Sequence, residues 1–208
     1  MAMIQSMFHV STPTMVYKHW INSVLWYLNR CTAQGTKIVF GNFLVYMETF
    51  AKNLLLHRFL SSEPIDYFKL IYKKEQLHLE EYEIDYTHPM LKYGHIQNNL
   101  VFNFLDYILW KTKHPNSVTN FEFTFRSSVE HFYPQKPIGG EPLADLDVLH
   151  SFGNLCLISH SKNSKLNNHL PSAKKDFFIK SQSKLSVDSI KLNVMINDYD
   201  VNNWGNES

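Results

Sequence analysis

The sequence predicts an α+β protein, with a predominantly helical region over residues 1–115 followed by a smaller mixed region over residues 116–208. Three observations carry this. Apolar residues recur at helical spacing through the first half. Phe121-Glu122-Phe123-Thr124-Phe125 alternates strictly between aromatic and polar, the period of a strand. Glycine numbers only 7 in 208 residues while aromatics reach 14%, which disfavours an all-β sandwich or barrel with its many tight turns.

Each element has its own signal. Thr12-Pro13 offers a hydroxyl cap and a proline for the first turn of a helix. Downstream, Tyr17, Trp20, Ile21, Val24, Leu25 and Leu28 share one helical face. A second helix is expected over about Asn42 to Leu60, a short third over Ile65 to Lys73, and a fourth over Gln97 to Lys111. The polar run KTKHPNSVTN, Lys111 to Asn120, marks the boundary between the two regions. After the alternating phenylalanines comes a loop with Pro134, Pro137, Gly139, Gly140 and Pro142, then a strand over Asn154 to Ser159. Short helices are expected near Ser172 to Lys180 and Asp188 to Met195. The large residues of the N-terminal helices serve as core or interface, with no cluster of convergent polar groups among them.

Composition excludes several classes. The net charge of +1 does not mark a general nucleic-acid binder, although His160 to Lys191 holds seven lysines against two aspartates. Such a cluster meets several phosphates, or is simply a solvated face. Two distant cysteines, Cys31 and Cys156, rule out a disulfide scaffold or a cysteine zinc knuckle and fit a reducing, cytoplasmic setting. No signal peptide or membrane span is expected. A GxxxxGK[ST] loop is missing, so nucleotide hydrolysis by this chain is not expected.

Chemistry concentrates in three islands: Ser128 to Gln135 (SVEHFYPQ), Phe152 to Ile158 (FGNLCLI) and Ser161 to Asn168 (SKNSKLNN). Taken singly, each has an ordinary reading. Glu130-His131 would be a surface dipeptide, Asn154 a turn residue, Asn163 a helix cap and the lysines solvated. The joint order carries more: a carboxylate-histidine pair, Asn154 after 23 residues, and Asn163 after 9 more. His150 and His160 bracket the second strand; either is placed to approach the phosphate, with core-edge or surface roles the expected ones.

In this order the islands resemble the HNH, or ββα-metal, nucleases. EHFYPQ, FGNLCLIS and KNSKLNN are similar to the C-terminal nuclease domain of GmrSD-type modification-dependent restriction enzymes, and MFHVSTPTMVYKHWINSVLWYL resembles the helical region before it. The resemblance implies a ββα-metal domain that hydrolyses DNA phosphodiesters in defence against foreign, possibly modified, DNA. It implies His131 as general base, Asn154 as the brace of the His-bearing loop, and Glu130 and Asn163 as ligands of Mg²⁺ or Mn²⁺. Lys165 and Lys174 or Lys175 are the implied phosphate contacts. The family's ParB-like nucleotide-hydrolysing domain is the expected partner. Glu130 stands where the common residue is Asp, and Asn163 where it is His; both exchanges keep an oxygen ligand. The alternative is a nuclease-like module that binds DNA, or that partner domain, without cutting.

Overall fold

The computed structural model describes residues 1–14, 18–74, 77, 87–112, 121–181 and 188–199, with side chains 179–181 left aside. Among the described residues helices dominate, around one two-stranded antiparallel sheet. Helix α1 (Ala2–Ser11) precedes α2 (His19–Ala33), α3 (Phe40–Leu54), α4 (Tyr67–Tyr72) and α5 (Leu100–Thr112). Strand β1 (Ser128–His131) pairs with β2 (Leu155–Ile158), flanked by the short α6 (Leu146–Leu149) and followed by α7 (His160–Leu166), α8 (Pro171–Ser181) and α9 (Ile190–Asp198).

Two expectations are corrected. Thr12 ends a helix instead of starting one: its amide and hydroxyl both donate to the Phe8 carbonyl, and Pro13 follows as prolines often do after a helix end. The next described helix begins at His19, and Tyr17 lies outside the described residues. The second helix closes with a π-helical turn, Leu55–Phe59. Phe121 to Phe125 forms no strand and joins no sheet. Phe121 and Phe123 plunge into the core, Phe125 stays exposed beside His9, and ladder pairing starts only where β2 runs alongside, from Ser128. The boundary run falls partly on α5, and its residues 113–120 lie outside the described residues.

The sheet separates two cores. Val129, Leu155 and Leu157 face the larger one, built from α1, α3, α5 and Phe152. Cys156 and Ile158 face a smaller one with Phe132, Leu166, Leu192, Met195 and Ile196. Residues alternate across a strand, so Glu130 and His131 belong to opposite faces. A buried polar chain ties the helical region to this unit. Ser11 Oγ accepts from Asn103 Nδ2 at 2.8 Å, and Arg126 reaches Asn103, Asp106 at 2.7 Å and the Asp188 carbonyl. Asp106 in turn accepts the Lys191 amide at the start of α9, at 2.8 Å. Among the described residues, no helix is long and apolar enough to cross a membrane.

Candidate active site

The site forms where β1 runs out into the loop at Phe132. Asn154 builds that corner. Its Oδ1 accepts the Tyr133 amide at 2.7 Å, and its Nδ2 donates to the Tyr133 carbonyl at 3.0 Å and to the Leu149 carbonyl at 2.9 Å. Its own carbonyl accepts the Phe132 amide at 2.8 Å. An amide both accepts and donates, so the buried Asn154 gives Tyr133 the two bonds of a strand neighbour although β1 has ended. Carboxylate or leucine at this position would satisfy only part of the set.

His131, the last residue of β1, is buried. Its Nε2 lies 3.1 Å from His150 Nδ1 and 3.5 Å from Gln135 Nε2. Tyr93 closes the other side, its ring centroid 4.3 Å from His131 and stacked on His150 at 5.7 Å. Burial, then the neighbouring His150 and Lys174, hold the His131 imidazole down at about 4. It is therefore neutral at neutral pH, a free base. Two imidazole nitrogens at this distance share one proton, with one ring donating and the other accepting.

His150, for which the sequence favours a core-edge or surface role over an approach to the phosphate, is His131's partner. Sequence spacing hid it because α6 brings it in: Asp145 caps that helix through the Asp147 and Val148 amides, and His150 is the residue that ends it. Lys92 bonds Asp147 at 2.7 Å and the Tyr93 amide donates to the His150 carbonyl at 2.9 Å, which fixes the Tyr93 wall. Tyr93 gave no signal in the sequence.

Glu130 lies on the other face of β1. Lys174 Nζ meets its Oε1 at 2.8 Å and the His131 carbonyl at 2.6 Å, with the lysine side chain wholly buried. Burial pushes the Glu130 carboxyl up while Lys174 draws it down. Lys174 thus does not face solvent. It neutralises Glu130 and ties that side chain to the main chain of the histidine. Asn163 sits in the second turn of α7, which packs on β1; among the described residues no side-chain hydrogen bond joins it to Glu130. Lys165 is exposed at the end of α7 and lines a shallow cleft of about 340 Å³ with His169, Lys174 and Asp176. Lys175 is half-buried and reaches the Tyr199 carbonyl at 3.4 Å. His160 is exposed at the first turn of α7. Of the seven lysines, 162, 174 and 191 are buried, while the Lys180 side chain and Lys184 lie outside the described residues.

Comparison with known families finds that the model of the GmrSD restriction endonuclease C-terminal domain matches residues 90–208. No curated protein and no solved structure matches the chain. The matched span contains α5, both strands, Asn154 and the His131–His150 pair. It is more than half of the chain, and the protein belongs to the GmrSD restriction endonucleases through this C-terminal domain.

Proposed function

We propose that the chain is an HNH-type, ββα-metal endonuclease that hydrolyses DNA phosphodiester bonds in defence against foreign, possibly modified, DNA. The observation that carries it is the neutral His131, buried at a corner braced by Asn154 and backed by His150. With the shared proton on His131 Nε2 and donated to His150 Nδ1, the lone pair of His131 rests on Nδ1. That atom takes the proton of the attacking water, and the positive charge that develops spreads toward His150. A phosphate anion entering the site favours the imidazolium and so strengthens the base as substrate binds. Asn154 and Lys174 act as positioning residues, holding the loop and the strand end. Lys165 and Lys175 are the phosphate contacts.

The donor chemistry fits a hard divalent cation. A carboxylate has two oxygens and Lys174 takes one. Glu130 and the Asn163 amide oxygen would hold Mg²⁺ or Mn²⁺, which supplies charge neutralisation at the scissile phosphate and leaving oxygen. Plasmid nicking tests the reading. His131→Ala should keep its fold and DNA binding while losing roughly 10²–10⁴ in rate, and EDTA should stop the wild type. A variant above about a tenth of the wild-type rate defeats the assignment of the base.

The Glu130–Lys174 pair favours one other reading, a module that binds DNA or a partner without cutting. Wild-type chain that binds DNA but never nicks it, alone or assembled with a nucleotide-hydrolysing ParB-like domain, would establish that reading. The exposed Leu25, Ile38, Val39, Phe40 and Val45 of the helical region are the proposed docking surface for that domain. Assembly undiminished by Val39→Asp with Phe40→Asp overturns this. The free thiols of Cys31 and Cys156 fit cytoplasmic action.

A further inference from the structure

The facing nitrogens of the histidine pair, His131 Nε2 and His150 Nδ1, lie 3.1 Å apart, and the two ring centroids 5.2 Å apart with the planes at 71°. Two imidazoles on one tetrahedral zinc, with bonds of about 2.0–2.1 Å, hold their nitrogens about 3.3 Å and their centroids about 5 Å apart. A small outward tilt of the rings therefore admits the ion in place of the shared proton. Gln135 adds a third group: its amide nitrogen lies 3.5 Å from His131 Nε2, and half a turn of that amide presents the oxygen. Tetrahedral zinc then keeps its fourth place for water.

Both rings are held before any ion arrives. His131 ends β1, and its carbonyl accepts from Lys174 Nζ at 2.6 Å. His150 ends α6; its carbonyl accepts the Tyr93 amide at 2.9 Å, and the Tyr93 ring stacks on it at an interplanar angle of 17°. Ligands fixed in this way lose little freedom on binding. His131 is buried and His150 half-buried, so His150 is the accessible end of the pair. Strand alternation keeps the nitrogens away from Glu130, which belongs to the other face of β1 and is engaged by Lys174. The two faces also differ in taste. Imidazole nitrogen suits zinc, whereas Mg²⁺ and Mn²⁺ prefer carboxylate, carbonyl and water oxygens.

We propose that Zn²⁺ binds between His131 Nε2 and His150 Nδ1, with Gln135 as third ligand, and that the bound ion silences the general base. The silencing rests on the proposed nuclease function; the binding does not. A neutral imidazole carries one proton and one lone pair on its two nitrogens. Zinc takes the lone pair at His131 Nε2, so the ring's proton moves to Nδ1 and none is released. His150 already offers a lone pair at Nδ1 and keeps its proton on Nε2. His131 Nδ1, the atom that would take the proton of the attacking water, then has no lone pair left. Mg²⁺ does not compete for these nitrogens, so its excess does not lift the block.

The test uses the full chain in excess Mg²⁺, with ZnCl₂ as the probe. Side-chain ¹⁵N spectra of the wild type should show the His131 Nε2 and His150 Nδ1 signals moving together as zinc is added. By calorimetry, His131→Gln and His150→Gln should each weaken zinc by about a hundredfold, the upper end of what losing a group that merely supports a ligand costs. His160→Gln, exposed at the first turn of α7, should change nothing. If the histidine variants do not fold, the wild-type spectra and the exposed Gln135→Leu, expected to weaken zinc by about tenfold, carry the test. Plasmid nicking by the wild type should stop at saturating zinc and return when a zinc chelator is added. The proposal is overturned if zinc leaves the two nitrogen signals in place, or if its affinity survives both histidine substitutions. Nicking that continues at full zinc occupancy overturns the silencing. A chain that never nicks DNA counts against the nuclease reading alone, because the nitrogen signals report zinc binding without cleavage.

Discussion

The helical region and the strand-bearing unit solve the same problem with different materials. From α1 to α4 the packing is ring on ring: Phe8 stacks on Trp20 and tilts against Phe50, His19 stacks on Tyr67, and Tyr27 packs on Tyr46. Around β1 and β2 the interior instead holds charge. Arg126 pairs with Asp106, Lys162 with Asp188 and Lys174 with Glu130, and Lys191 donates to the carbonyls of Phe152 and Leu155 at 2.8 and 2.6 Å. A four-residue ribbon with a small core has little apolar area to fix its surroundings. Buried cations aimed at main-chain oxygens define geometry residue by residue, which a reactive corner requires and a helical layer does not. The cost is sensitivity, because each buried charge depends on its partner.

The sharpest way to break this contrast is at Asp106 and Arg126, both wholly buried. Asp106→Ala should remove about 3–5 kcal/mol of stability in urea titrations, since it strands a guanidinium in the interior. The double variant Asp106→Leu, Arg126→Met should recover much of that. A single substitution costing under about 1 kcal/mol would mean that the buried charges are not structural. Lys191→Met comes next, at about 2–3 kcal/mol, because carbonyls at 152 and 155 lose their donor. Burial holds the Lys191 ammonium down to about 8, below its usual 10.5. The unfolded chain therefore binds more protons between those values, and wild-type stability gains a rising contribution from pH 8 toward 10.5 that Lys191→Met should lack.

The aromatic region should respond more mildly. Tyr27→Leu keeps apolar bulk and removes a ring pair, for a loss of about 0.5–1.5 kcal/mol by thermal melting. A loss as large as that at Asp106 would erase the distinction between the regions. The smallest effect belongs to the exposed Asp66, whose Oδ1 accepts the Lys69 amide at 2.8 Å to cap α4. That hydrogen bond holds its carboxyl below the usual 3.8. The contribution is present above 3.8 and fades as pH falls through the lowered value. Melting curves of wild type and Asp66→Asn should accordingly differ above pH 4 and converge in stronger acid.

How much of this was legible follows the range of the interactions. Helical faces such as Phe43, Tyr46, Met47 and Phe50 are local, and α3, α4, α5, α8 and α9 lie close to where the sequence places them. Thr12-Pro13 misled because a hydroxyl followed by proline fits both ends of a helix, and only the Phe8 carbonyl decides between them. Phe121 to Phe125 carries the period of a strand, but a ladder needs a neighbour and β2 is four residues long. Glu130, His131 and Asn154 stood out in the sequence and Tyr93 did not, while His150 was noticed without its pairing to His131, since both positions depend on α6 and on Lys92 bonding Asp147. The lysine-rich stretch hid its division of labour. Composition counts charges and cannot say which ones turn inward.

That division gives the chain a built-in chemical clock. An amine-directed reagent, whether an acetylating agent or an activated ester, meets Lys165 directly on the surface. It reaches Lys174 and Lys191 only after the structure around them opens, because both ammonium groups are enclosed and bonded to oxygen. Modification of these two residues would thus proceed at the rate of opening and remove the charge that the carbonyls need, so that each modified molecule could not close again as before. Surface lysines would record exposure to the reagent, and the enclosed pair would record the history of the fold.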